Sequence, residues 1–278
     1  MLLYQKKSFP ALLDPRALVR SLWLHRRLLW QFTRRGIEAP HRGSALGAVW
    51  SLLSPLLLFG TYAFVFGFVF QARFGVEGET RLDFVLGLFL GLTLAQFLLE
   101  CMTGSPVAVI QNPNYVKKVV FPLEILPAST VGAAFFRCVV SLLLVLAGTW
   151  MWGRGLHWQV LWLFPLLGIM VLLGLGIAWT VAALGVFVRD MVPLMQFASL
   201  IIMFMSAIFY PVNAIPQSMG FLRYNPLLMI VESARNAVLW QLPYAGPSMA
   251  VLAGVALAVC IFGYAFFSAL KSAFADVL

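Results

Sequence analysis

Ionisable side chains are scarce in this chain of 278 residues: Asp and Glu together number ten, His three, and all charged types make up only 10%. With 62% hydrophobic residues and a mean hydropathy of +0.93, too little polar surface remains to coat a soluble domain of this size. The composition is that of a polytopic membrane protein. Proton relays, metal sites and counter-ions inside a bilayer are built from Asp, Glu, His, Lys and Arg. Within the apolar stretches only Glu100 and Arg137 are of these types, and His25, His41 and His157 lie outside them. This excludes proton coupling, a metal centre and membrane-embedded acid–base catalysis. Glu100 and Arg137 are expected to pair in a structural role where neighbouring helices bring them together.

Cysteine is equally sparse. Cys101, Cys138 and Cys260 fall in apolar stretches without the spacing of a disulfide frame or zinc site, and read as small core hydrophobes. No G-x-x-x-x-G-K-[ST] loop or dinucleotide fingerprint occurs. The chain is therefore expected to be no enzyme and to hold no cofactor or metal, so any uphill transport draws its energy from a separate subunit.

What the chain does have is positive charge, unevenly placed. Nine of its 19 basic residues precede position 43, and residues 46–70 then carry no charge. Those 25 residues cover about 37 Å as a helix, more than the hydrocarbon core of about 30 Å. Further apolar windows at 84–109, 126–150, 158–188, 194–212 and 248–270 give an all-α protein with six transmembrane helices. Thirteen Lys and Arg then fall on the side of the N-terminus and five opposite, while Arg137 lies within a span. The positive-inside rule puts both termini in the cytoplasm. Lys6, Lys7 and the Arg-rich segment come where a cleavable signal would be apolar, which agrees. The net charge of +9 belongs to topology and anionic lipid rather than to nucleic acid. Without a compositional break or repeat, residues 1–278 form one membrane domain.

Residues 1–45 hold a cytoplasmic amphipathic helix. Arg20, Arg27 and Arg34 recur every seven residues, as do Leu22 with Leu29 and Trp23 with Trp30, a pattern suited to the membrane interface. On pattern alone, a docking role for that basic face and a merely solvated one are equally good readings. Residues 213–247 are expected at the outer face as a short interfacial or re-entrant segment, because Glu232 and Arg235 would each cost about 2.5–3.5 kcal/mol at the centre of a seventh span. Asn225 and Pro226 supply an N-cap and an N1 proline for a helix there.

Aromatic side chains also recur at helical spacing. Phe59, Tyr62, Phe66 and Phe70 share an arc of about 80°, and Phe197 with Phe204, and Met203 with Tyr210, are seven apart. Such stripes suit a path for sugar rings, and equally suit lipid contact or packing. Gly87 with Gly91, and Gly174 with Gly176, are weaker signals of close helix approach.

The order of "HRGSALGAVWSLLSPLLLFGTYAFVFGFVF", "NPNYVKKVVFPLEILP", "VRDMVPLMQF" and "IFYPVNAIP" behind an Arg-rich amphipathic helix resembles the ABC-2 type permeases that export O-antigen, capsule and teichoic acid polymers. The resemblance covers nearly the whole chain. It implies a homodimer around a central channel for a lipid-linked glycan, resting on two copies of a cytoplasmic ATPase subunit that holds the ATP and Mg. It further implies ATPase contacts at Arg20, Arg27, Arg34, Tyr115, Lys117 and Lys118, with Arg189 and Asp190 in a second contact. The aromatic residues Phe59, Tyr62, Phe66, Phe70, Phe197, Phe204 and Tyr210 would line the channel. Asn225, Glu232 and Arg235 would stand at its outer gate, where an i, i+3 ion pair on a surface helix is the plainer reading of the last two. A permease for a small lipophilic drug or lipid would share the same spans.

Overall fold

The apolar windows of the sequence are built mainly of helix, since only a helix or a closed barrel satisfies backbone polar groups away from water. The computed structural model describes residues 15–41, 43–44, 46–117, 121–153, 155–242 and 246–278, and these are all-α. Two short helices lead, α1 (Pro15–Leu24) and α2 (Arg26–Glu38). Then come α3 (Trp50–Tyr62), continued as a π-helical stretch to Val69, α4 (Arg81–Gly104) and the single-turn α5 (Pro113–Lys117). Helix α6 (Ile125–Trp152) and α7 (Leu163–Phe187), the latter entered through a 3-10 turn from Trp158, complete the first four apolar passes. The chain closes with α8 (Met191–Phe204), α9 (Pro226–Arg235), α10 (Gly246–Leu270) and α11 (Phe274–Val277).

Among the described residues, five helical stretches are long and apolar enough to cross a membrane: Trp50–Val69, Arg81–Gly104, Ile125–Trp152, Trp158–Phe187 and Met249–Val277. The protein is multi-pass. The window expected at 194–212 departs from a single helix. It is helical only over the 14 residues Met191–Phe204, about 21 Å at 1.5 Å per residue. Ser206 turns its hydroxyl back to the Ile202 carbonyl at 2.6 Å, and Ala207 adopts φ +50°, a left-handed conformation that ends the helix. The second window also closes early, at Gly104, where Ser105 bonds back to the Cys101 carbonyl.

Helix α4 is the centre of the bundle, 89% of its apolar window being buried, against 6% for α3. Its start is fixed by a capping box: the Thr80 hydroxyl accepts from Asp83 N–H, and the Asp83 carboxylate accepts from Thr80 N–H. Helices α3, α6, α7, α8 and α9 pack around it, and α10 lies along α7. That last contact is a backbone approach through small residues: a Cβ on Gly176 would collide with the Val259 carbonyl, and one on Gly263 with the Gly176 carbonyl.

Leu22, Leu29 and Phe32 of the N-terminal helices join Val109, Leu126, Trp179, Phe267 and Phe274 in one apolar cluster. Residues from near both ends of the chain therefore share one end of the bundle.

Gly176→Leu should push α7 from α10 and destabilise the protein by about 1–3 kcal/mol, as overpacking does. Gly254→Leu, on an open face of α10, is the control. Thermal melting followed by size-exclusion chromatography in detergent should separate the two, Gly176→Leu melting lower.

Candidate functional site

The basic end is built where α2 crosses the first turns of α6. Thr33 fits against Gly132, a Cβ on which would meet the Thr33 hydroxyl at 2.6 Å, and Gly36 sits against Ala133. The amphipathic face predicted for the N-terminal segment is split. Leu22, Leu29 and Phe32 are packed on the bundle, while Trp23 and Trp30 stay exposed. Phe32 meets Tyr115 and Phe121, each at 5.5 Å between ring centroids, and Tyr115 meets Phe121 at 4.7 Å. The N-terminal helix and the turn carrying α5 are thus one packed unit.

Glu124 ties that unit to the rest. Its carboxylate accepts from the Ser21 hydroxyl at 2.9 Å and faces Lys271 Nζ at 3.6 Å, and its backbone carbonyl accepts from the buried Trp179 indole at 2.9 Å. α1, the start of α6, α7 and the residue following α10 meet at this one residue. Arg20, Arg27 and Arg34 are exposed on the outer face of the N-terminal helices, and Lys117 is exposed at the last turn of α5. Arg34 forms a surface ion pair with Glu38 at 2.7 Å, of a kind worth about 0.3–0.5 kcal/mol. Arg189 and Asp190 are exposed just beyond α7, where Phe187 packs on Phe274. Lys118 lies outside the described residues.

The aromatic stripe of α3 meets the end of α8. Phe66 stacks on Phe209 at 5.1 Å, Tyr62 lies 5.7 Å from the same ring, and Phe209 is 5.5 Å from Phe204. Phe59 is held on Phe89 of α4 at 4.5 Å, and Phe70 follows Phe66 at 5.7 Å. The Tyr210 hydroxyl donates to the Phe204 carbonyl at 2.9 Å. Phe197 is exposed two turns before Phe204.

At the other end of the bundle Arg235 departs from the surface ion-pair reading, being 1% exposed. It donates to the carbonyls of Gly87, Ala207 and Ile208 at 3.1, 3.1 and 2.7 Å, with its guanidinium 4.0 Å from the centroid of the Phe74 ring. Gly91 leaves the space it occupies, since a Cβ there would stand 2.8 Å from Arg235 Nη2. Phe74 is in turn placed by Glu79, whose carboxylate accepts from Phe74 and Gly75 N–H at 2.9 Å each. One buried cation thereby joins α4, the turn after α8, and α9. Asn225 caps α9 by accepting from Leu227 N–H at 3.0 Å, as the sequence predicts, and its amide donates to Ser206. Glu232 is half-buried on α9.

Deeper in the bundle Arg137 Nε and Nη2 both stand 2.7 Å from Glu100 Oε2, the pairing expected from the sequence. The pair borders a cavity of about 450 Å³ between α3, α4 and α6. Among the described residues no group of three or more His, Cys, Asp or Glu is placed to hold a metal ion.

The pattern of the ABC-2 type transporter family matches residues 27–239. The chain belongs to that family. Similarity covers most of the chain: it is 27% identical over 256 residues to an O-antigen export system permease protein RfbA of Klebsiella pneumoniae, covering 90% of this chain and 95% of that protein. The protein of the same name from Myxococcus xanthus is 28% identical over 265 residues, covering 93% and 98%. The polysialic acid transport protein KpsM of Escherichia coli is 25% identical over 236 residues, covering 80% and 85%. As an ABC-2 permease the chain is a transport subunit rather than an enzyme.

The sequence reading passed over Glu124, Phe209 and the burial of Arg235. Glu124 had a signal, being the only acidic residue between the second and third apolar windows.

Arg235→Met should leave the buried carbonyls of Ala207 and Ile208 without their donor, each costing about 1–3 kcal/mol, while the Gly87 carbonyl keeps its partner within α4. The loss should lower the melting midpoint well below that of Arg223→Met, which alters an exposed arginine. Equal midpoints would show that the cation does not hold the turn after α8.

Proposed function

We propose that this chain is the channel-forming subunit of an ATP-driven exporter that moves a lipid-linked, O-antigen-like polysaccharide across the cytoplasmic membrane. The similarity to O-antigen export permeases over nine-tenths of the chain carries this reading. In it, two copies assemble on two copies of a cytoplasmic ATPase subunit, which binds ATP and Mg. The chain crosses six times with both termini inside, α8 and the turn that follows it making the fifth pass. The one domain comprises the cytoplasmic segment 1–45, spans 46–70, 84–109, 126–150, 158–188, 194–212 and 248–270, and the outer segment 213–247.

Arg20, Arg27, Arg34, Tyr115, Lys117 and Lys118 form the main ATPase-facing surface, and Arg189 with Asp190 the second. The packing of Phe32 on Tyr115 and the convergence on Glu124 support this, because a push at the surface passes into α6, α7 and α10 through close-packed contacts. Movement of these helices opens the dimer channel, and the glycan enters from the inner leaflet and is threaded outward. Phe59, Tyr62, Phe66, Phe70, Phe197, Phe204 and Tyr210 offer ring faces along the path, and stacking tolerates the repeating units of a polymer. Asn225, Glu232 and Arg235 shape the outer mouth, Arg235 by holding the turn after α8 rather than by touching cargo.

Deletion of the gene should leave glycan polymer inside the cell, visible by immunoblotting of cell fractions; normal surface glycan would overturn the export reading. Replacing Lys117 and Lys118 by Glu should leave the protein in the membrane and uncouple ATP hydrolysis from export. Unchanged export per ATP hydrolysed would show that these lysines act only in topology.

A further inference from the structure

The segment that follows α10 lies across the basic end, in contact with the elements that carry both patches given to the ATPase by the family resemblance. Helix α11 packs on α5 and on α7. Phe274 seats it there, fully buried, with its ring 5.3 Å from Phe267 of α10 and 5.9 Å from Phe187 at the end of α7. Leu278 packs on the same apolar cluster as Tyr115 and Val116. At the start of the segment, Lys271 Nζ stands 3.6 Å from the Glu124 carboxylate that also holds Ser21 of α1.

This seating leaves one side open. Ala275, Asp276 and Val277 are exposed, as are Lys117 of α5 and the run 187–190 after α7. The contact of Phe274 with Phe187 sets the exposed runs side by side. Val277, Val188 and Phe187 are 51%, 42% and 40% exposed, large apolar side chains with Arg189, Asp190 and Asp276 next to them. An apolar centre with a charged rim is the anatomy of a protein interface. An anionic leaflet fits this surface less well, because its negative potential repels the carboxylates of Asp190 and Asp276.

We propose that residues 275–277 are a third contact for the ATPase subunit, joining the Lys117 patch and the Arg189–Asp190 patch into one continuous docking surface. This assignment rests on the reading of the chain as a permease driven by a separate ATPase, and it adds a segment to which that reading gives no part. A load applied at Val277 enters the bundle through Phe274, which touches α7 and α10 together. The matching surface on the ATPase subunit is apolar opposite Val277, with charge of both signs around it.

The test uses the full-length permease in nanodiscs of phosphatidylethanolamine, with and without phosphatidylglycerol. Val277→Cys supplies an accessible thiol, the three native cysteines being buried. Its labelling by a water-soluble maleimide should slow severalfold when the purified ATPase subunit is added, while that of Tyr224→Cys, at the opposite end, should not change. Val277→Asp and Asp276→Lys should each weaken binding of the ATPase subunit about fivefold, the effect of losing one interface contact worth about 1 kcal/mol. Arg223→Asp should leave binding unchanged. Unchanged labelling, or unchanged affinity in both variants, with Lys117→Glu still weakening binding, would overturn the third contact and leave the ATPase-partner reading standing. An ATPase subunit that fails to bind the wild-type permease would overturn both. Protection of Val277→Cys by phosphatidylglycerol without the ATPase subunit would overturn the third contact by showing that the segment docks on the membrane.

Discussion

A helix buried on every side must bring its own partners for every polar group near it, and α4 is such a helix. Glycines set how closely its neighbours approach: Gly87 admits Phe74 and Leu239, and Gly91 admits Arg235. Because Gly91 has no side chain, a guanidinium fits against the helix and reaches the Gly87 carbonyl together with those of Ala207 and Ile208. A cation that would cost about 2.5–3.5 kcal/mol in lipid instead satisfies the buried carbonyls of Ala207 and Ile208 in the turn after α8. Toward the other end of α4, Glu100 is matched by Arg137. A side chain at position 91 would take the place of the Arg235 guanidinium.

The opposite end of the molecule follows a different logic. There charge is abundant and exposed, and the cohesion comes from aromatic edges among Phe32, Tyr115 and Phe121 and from the contacts of Glu124. Basic side chains remain exposed while the apolar residues beneath them are packed on the long helices.

Much of this was legible in the sequence, for reasons particular to each element. The long apolar windows held because hydrocarbon thickness sets a length that no packing detail overrides. The start of α9 held because Asn225 and Pro226 act locally, within three residues. The Glu100–Arg137 pair was legible because a charge at depth has few other outcomes, and Gly87, Gly91 and Gly176 marked true close approaches. The end of α8 was not legible. Residues after Phe204 stay apolar, so hydropathy runs on through Ser206 and Ala207, and the turn depends on Arg235, 28 residues downstream of Ala207. Arg235 itself was read as an exposed gate charge because periodicity along α9 cannot reveal that three carbonyls from two other segments surround it. Nor does sequence spacing show that Phe209 closes the aromatic seam between α3 and α8.

The central claim is that this chain is a conduit whose few internal charges serve structure while its motor is another protein. The most direct measurement is ATP hydrolysis and extrusion of lipid-linked glycan in proteoliposomes, with the purified chain alone and together with its ATPase subunit. The account predicts neither activity from the chain alone and both from the complex. Nucleotide turnover by the chain alone would contradict it.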